Sequence, residues 1–130
     1  MCKRLGADDA ARLATRVRDS LAGTAPFELR VSGVDVFEEA AAGESPVVYL
    51  RVASPELDRL HDRLCEVFAP VDGMEGDAYV PHVTIARGGD PATARRLADR
   101  SVEPRRWTAE ELCVWDGTRR LPVRTFSLPM

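Results

Sequence analysis

The segment Pro81-His82-Val83-Thr84-Ile85-Ala86-Arg87 sets an imidazole and a hydroxyl two residues apart with an apolar side chain between them. Successive side chains of an extended strand point to opposite faces, so His82 and Thr84 share one face and Val83 and Ile85 the other. At about 3.3 Å per residue the two polar groups stand roughly 6.6 Å apart, a spacing at which both reach the oxygens of one phosphate. Imidazole titrates near neutrality and serves as a general acid or base. An uncharged hydroxyl donates to a phosphate oxygen at little desolvation cost. This pairing suits phosphoryl chemistry without a metal, and Val83 and Ile85 are expected to anchor the segment from its apolar side. Arg87 ends the strand on the parity opposite to Thr84, at a point where the chain can turn it toward phosphate. Tyr79, at the strand entrance, reads either as a stacking platform for a base or ribose or as a core aromatic. A solitary H-x-T also fits a histidine with a purely structural role.

The elements around this segment follow from periodicity and punctuation. Ala10, Leu13, Ala14, Val17 and Leu21 recur at helical spacing over about 8–22, with Asp8 or Asp9 as cap and Gly23 as stop. Phe27, Leu29 and Val31 alternate, and the apolar parity then switches after Gly33 to Val34 and Val36, which predicts a strand with a glycine bulge. Val47 to Val52 is apolar at nearly every position and reads as a central strand covered on both faces. Ser54-Pro55 opens a second helix that runs to about Phe68 through Leu57, Leu60, Leu64 and Val67. Residues 70–77 form a loop, Tyr79 to Ala86 a strand, and Asp90-Pro91 opens a short third helix. Strands over about 105–115 and 122–128 flank a turn at Asp116-Gly117. Helices interleave with strands that must often be antiparallel, so the class is α+β, with helices covering one side of each sheet.

Composition bounds what such a chain can be. With 130 residues, 45% hydrophobic and 30% charged, it has the balance of one globular domain over 1–130 rather than of a disordered or fibrous chain. No apolar run approaches the ~18 residues of a membrane span, and Met1 to Gly6 lacks the apolar core of a secretory signal, so a soluble cytoplasmic protein is expected. Cys2, Cys65 and Cys113 are too dispersed for a disulfide framework or a zinc knuckle and read as reduced, mostly buried residues. Residues 1–86 carry nine basic and fifteen acidic side chains, or −6; residues 87–130 carry nine arginines and six acids, or +3. Seventeen of the 18 basic residues are arginine, whose planar fork suits phosphate, although a compositional bias explains the excess equally well. Trp107 and Trp115 have the spacing of one strand face and read as core or interface anchors.

Tyr79-Val80-Pro81-His82-Val83-Thr84-Ile85-Ala86-Arg87 resembles the second signature of the 2H phosphoesterase superfamily, the group that contains 2′-5′ RNA ligase-like proteins and RNA 2′,3′-cyclic phosphodiesterases. Pro26-Phe27-Glu28-Leu29-Arg30-Val31-Ser32-Gly33-Val34 is similar to the family's upstream Pro-Phe-x-Leu-x-hydrophobic-x-Gly segment, and the helix from Ser54 to Phe68 lies where the family carries one. The resemblance covers about residues 2–87. It implies a two-lobed α+β fold with antiparallel sheets, helices on the outer faces and two H-x-T/S strands facing each other across a cleft. It further implies RNA or a nucleotide phosphate as substrate, no cofactor and no metal. One histidine of such a pair takes a proton from the attacking water or hydroxyl and the other protonates the leaving ribose oxygen. In-line displacement at phosphorus requires an acid and a base on opposite sides of the transferring group.

The chain departs from the family pattern at the first signature. The other histidine, His61, lies in Leu60-His61-Asp62 within the second helix, beside the apolar stripe, and reads as a partly exposed structural residue. Cys2 to Asp9 looks like the end of the first-signature strand and the start of the following helix, which sets the missing His-x-Thr just before Met1, with about forty family residues absent. Lys3 and Arg4 then either add positive potential to the cleft or lie in solvent. Two readings stay open: an internal start of an ordinary two-histidine enzyme, or a short form lacking half its acid–base pair. An N-terminally truncated sheet has an unpaired edge, which predicts lower stability than an extended form or a homodimer. The expected sites are His82 and Thr84 as catalytic residues and Arg87 and Tyr79 as substrate contacts, in a cyclic phosphodiesterase or 2′-5′ RNA ligase-like enzyme impaired in this form. The alternatives are a non-catalytic RNA- or nucleotide-binding module and a structural domain in which His82 is satisfied by hydrogen bonds.

Overall fold

The computed structural model describes residues 3–6, 9–40 and 43–130. Helix α1, Ala10–Leu21, is capped by Asp9, whose carboxylate accepts from the Arg12 amide at 3.1 Å. Asp8, the alternative cap, lies outside the described residues, as do Met1 and Cys2. The apolar stripe of α1 is its buried face: Leu13, Ala14, Val17 and Leu21. Strands β1 (Phe27–Phe37) and β2 (Val47–Ala53) follow, then α2 (Pro55–Val67), a single 3-10 turn at Gly76–Ala78, β3 (His82–Arg87) and α3 (Pro91–Ala98). Strands β4 (Arg106–Ala109), β5 (Glu111–Asp116) and β6 (Leu121–Ser127) complete the chain. Residues 3–6 are not in a strand, contrary to the expected strand end there.

A four-stranded antiparallel sheet has the order β3-β2-β1-β4, and β5 and β6 pair as a separate hairpin. The register slips between Val31 and Gly33, at the position where the apolar parity of β1 switches. Before the bulge, Phe27 and Leu29 point into the core with Val52 of β2. They meet Leu13, Val17 and Leu21 of α1, Leu57 and Leu60 of α2, and Val114, Phe126 and Leu128 of the hairpin. Ser54 ties α2 to the sheet, accepting from the Leu57 amide at 3.2 Å and donating to the Glu28 carbonyl at 2.7 Å. The result is α+β with helices behind curled antiparallel sheets.

Several expectations need correction. The strand expected over about 105–115 is two: after Ala109 the chain leaves β1 for the hairpin, so Trp107 and Trp115 stand in different sheets. Both are exposed, Trp107 by 38% and Trp115 by 54%, rather than core anchors. The strand expected from Tyr79 starts only at His82, since the 3-10 turn and Pro81 hold the preceding residues out of the ladder. Strand β3 is an edge, and Val83 and Ile85 are 39% and 48% exposed rather than anchored. Cys65 is half-buried and Cys113 exposed, not buried. Among the described residues no helix is long and apolar enough to cross a membrane.

Candidate active site

His82 opens β3, opposite Arg51 of β2, and Thr84 lies opposite Tyr49. Cross-strand partners in an antiparallel pair project to the same face, so the four side chains share one side of the sheet. Strand β1 adds Asp35 opposite Tyr49 and Gly33 opposite Arg51. Thr84 and Arg51 are exposed and His82 is half-buried, so this is the open face, with the packed helices behind.

The imidazole of His82 is held on two sides. Its ring meets the rings of Phe37 and Tyr49 edge-on, each with centroids 5.3 Å apart, and those two rings stack on one another at 4.0 Å. Its Nδ1 lies 2.6 Å from the Val80 carbonyl oxygen. A carbonyl only accepts, so Nδ1 carries the proton and the neutral ring has its lone pair at Nε2. Nε2 is thus the atom that takes a proton as base or gives one as acid.

Tyr49 is buried beneath Phe37, and burial, reinforced by the Asp35 carboxylate and opposed by Arg51, pushes its phenol above the ordinary value. It stays a neutral floor for the site. Arg51 reaches Asp35, Nη1 to Oδ2 3.4 Å, and its guanidinium lies across Gly33, where a Cβ would collide with it. Both partners are about half exposed, so the pair adds at most about 1 kcal/mol and leaves the guanidinium available to an anion.

The other expected residues lie elsewhere. Arg87 is at the far end of β3, opposite Val47, roughly 16 Å along the strand from His82 at about 3.3 Å per residue. Its guanidinium rests against Gly43. The Tyr79 ring is stacked parallel on His61, centroids 3.6 Å apart, which covers one of its faces. The structure therefore brings His82 and Thr84 onto one face, sets Arg87 at the far end of the strand and stacks Tyr79 on His61.

His61 is 3% exposed, buried rather than partly exposed as expected. Its Nε2 accepts from the Gly76 amide at 3.0 Å and lies 3.4 Å from the Cys65 sulfur. Burial pushes its pKa down, opposed chiefly by the Glu75 carboxylate. Lys3 faces neither cleft nor solvent: its Nζ lies 3.0 Å from Glu75, with both side chains almost fully covered. Glu75 also accepts from the amides of Arg4 and Val71, each at 2.8 Å. Burial raises the Glu75 pKa, but these donors and Lys3 outweigh it and hold the carboxyl below its ordinary value.

Sequence reasoning missed Arg51, Tyr49, Asp35 and Phe37. The signal existed in the alternation of Tyr49 and Arg51 with Val48, Leu50 and Val52, but treating 47–52 as apolar on both faces hid it. Among the described residues, shallow hollows lie around Val36, Pro46 and Pro91 and around Thr24, Phe27 and Arg63. Neither is lined by His82 or Thr84, whose face is open rather than enclosed. Among the described residues no three His, Cys, Asp or Glu side chains cluster as a metal site would require.

An imidazole and a threonine hydroxyl on one face of an antiparallel sheet, with helices behind, fit the α+β fold of a 2H phosphoesterase. The family model described as the 2'-5' RNA ligase superfamily matches residues 4–120, and the chain belongs to that superfamily. It is 34% identical over 89 residues to a protein named RNA 2',3'-cyclic phosphodiesterase from Methanothermobacter thermautotrophicus (strain Delta H). The match covers 68% of this chain and 47% of that relative, so the chain spans about half the relative's length. No solved structure matches.

Proposed function

We propose that the chain acts on RNA or nucleotide 2′,3′-cyclic phosphates, or in the reverse sense on 2′-5′ linkages, by metal-independent acid–base chemistry in the cytoplasm. Superfamily membership and the relative's name support the substrate class. The carrying observation is the shared face of His82 and Thr84, with the His82 proton held on Nδ1. Water attacks phosphorus and gives up a proton to a base, the bond from phosphorus to a ribose oxygen breaks, and that oxygen takes a proton from an acid. His82 Nε2 supplies one of these two transfers and the Thr84 hydroxyl binds a phosphate oxygen. Arg87, about 16 Å along β3 from His82, and Tyr79 are proposed as contacts to parts of the substrate beyond the reacting phosphate, Arg87 for a further phosphate and Tyr79 for a base or ribose.

His61 cannot supply the second transfer, because its Nε2 already accepts from Gly76 and its ring is buried under Tyr79. Among the described residues His82 is the one histidine on this face, and a site that works with one member of the pair turns over about 10²–10⁴-fold more slowly than one with both. That observation also favours a second reading, a nucleotide-binding module that holds the phosphate without turnover. Edge strands β3 and β4 of the four-stranded sheet leave unpaired backbone, through which a homodimer would form.

The test is hydrolysis of a 2′,3′-cyclic nucleotide in EDTA by the chain and by His82→Ala. Measurable turnover that falls by about 10²-fold or more in the variant supports the enzyme. Turnover unchanged by the substitution overturns it, and nucleotide binding without turnover in either form establishes the module.

A further inference from the structure

The face that carries His82 continues across the whole sheet. Arg51 stands opposite His82, Ala53 lies two residues further along β2 opposite Arg30 of β1, and Arg30 lies opposite Arg106 of β4. Parity and pairing therefore put Arg51, Arg30 and Arg106 on the same open side as the imidazole, in a row leading away from it. With strands about 4.8 Å apart and about 3.3 Å per residue, the backbone positions of Arg51 and Arg30 are roughly 8 Å apart, and those of Arg30 and Arg106 about 5 Å. Gly33 and Ala53 lie between the arginines and keep the floor of the row low.

We propose that Arg51, Arg30 and Arg106 bind successive backbone phosphates, so that the preferred substrate is a single-stranded oligonucleotide with its reacting phosphate at the end, not a mononucleotide. This deepens the functional reading above and rests on it. The row contains two acids as well: Asp35 beside Arg51 at 3.4 Å and Glu28 beside Arg106 at 3.3 Å. All four of these side chains are roughly half or more exposed, where such pairs hold weakly. A guanidinium takes either a carboxylate or a phosphate bidentately, so a phosphate competes for it with a loosely held surface carboxylate. Arg30 has no acidic partner among the described residues. A repeating anion matches the repeating cation, and the end of the row at His82 sets which phosphate reacts.

Binding reads this out without requiring turnover. A fluorescein-labelled six-nucleotide RNA ending in a 2′,3′-cyclic phosphate is titrated by anisotropy, with the 2′,3′-cyclic mononucleotide as competitor. The oligonucleotide is expected to bind at least 10-fold tighter, and R30Q, R51Q and R106Q each to weaken it about 3–10-fold. Each also lowers the steepness of log Kd against log salt by about 0.7, the value for one phosphate contact on a single strand. R100Q, a surface arginine after α3, changes neither. Equal affinity for the two ligands, or arginine variants indistinguishable from R100Q, overturns the row. If His82→Ala abolishes turnover while the affinity gap is absent, the row fails and the catalytic reading stands. A gap that depends on the arginines with no turnover in any form sinks the catalytic reading and leaves the row.

Discussion

The Nδ1 of His82 sits 2.6 Å from the carbonyl oxygen of Val80, a residue only two positions earlier in the chain. The bond is local, yet its geometry depends on Pro81 and on the 3-10 turn that bring the chain into β3. It gives the imidazole one tautomer, while Phe37 and Tyr49 give it one orientation. A reacting group displaced by about 1 Å loses on the order of 10²-fold in rate. Phe37→Leu keeps an apolar cover but frees one side of the ring. The expected result is a fall in kcat of about 3- to 10-fold with KM little changed, read from steady-state kinetics on a cyclic nucleotide.

Thr84 tests the phosphate contact. Thr84→Val preserves shape and removes the donor, and a lost hydrogen bond to a charged group is worth about 1.5–3 kcal/mol. At least 10-fold weaker nucleotide binding is expected from Thr84→Val, with Thr84→Ser close to the parent. Calorimetric titration of both variants distinguishes this from a strand residue with no ligand role, for which the two would match.

Glu75 carries a stability prediction with a defined pH window. Its carboxyl is held below the ordinary value of 4.5, so its contribution is present above that pH and is lost as pH falls through the lower folded value. Glu75→Gln leaves the buried ammonium of Lys3 uncompensated and is expected to cost about 3 kcal/mol at neutral pH. The variant also flattens the acid limb of a stability curve below pH 4.5, as measured by denaturant unfolding.

His61 acts in a higher window. Burial lowers its folded pKa below 6.5, so the unfolded chain binds a proton that the folded chain refuses. Its contribution is whole above 6.5 and declines as pH falls from there toward the folded value. His61→Gln retains an acceptor for the Gly76 amide but does not titrate. Thermal unfolding between pH 7 and 5 is expected to show a smaller drop in Tm for the variant than for the parent.

Val83 and Ile85 separate burial seen in the structure from burial expected of an alternating strand. Ile85 is 48% exposed, whereas Leu29 is 2% exposed. Ile85→Thr is expected to cost under about 1 kcal/mol and Leu29→Ala about 2–5 kcal/mol. Similar losses at the two positions, by urea unfolding, would contradict the edge position of β3.

Local signals carried most of the elements. Asp9, Ser54 and Asp90 each cap the helix they precede, because a short polar side chain meets an orphan amide one turn ahead. The parity switch at Gly33 announced the bulge, since a one-residue slip must move apolar side chains to the other face. The break between β4 and β5 left no such mark: Ala109 and Glu111 both suit a strand, and the partner strand alone determines where one sheet ends.

For the site, alternation in His82-Val83-Thr84 already assigned the imidazole and the hydroxyl to a common side, because that follows from backbone geometry within three residues. Strand order and register, which come from contacts far apart in sequence, assigned the rest: they set Arg51 against His82 and Asp35 against Tyr49. They also put β3 at an edge, so that its apolar side chains are half in water, and carried Lys3 across 72 residues of chain to Glu75. Pairing between distant segments is decided by total burial and hydrogen bonding over the whole chain, and no window of sequence contains that sum.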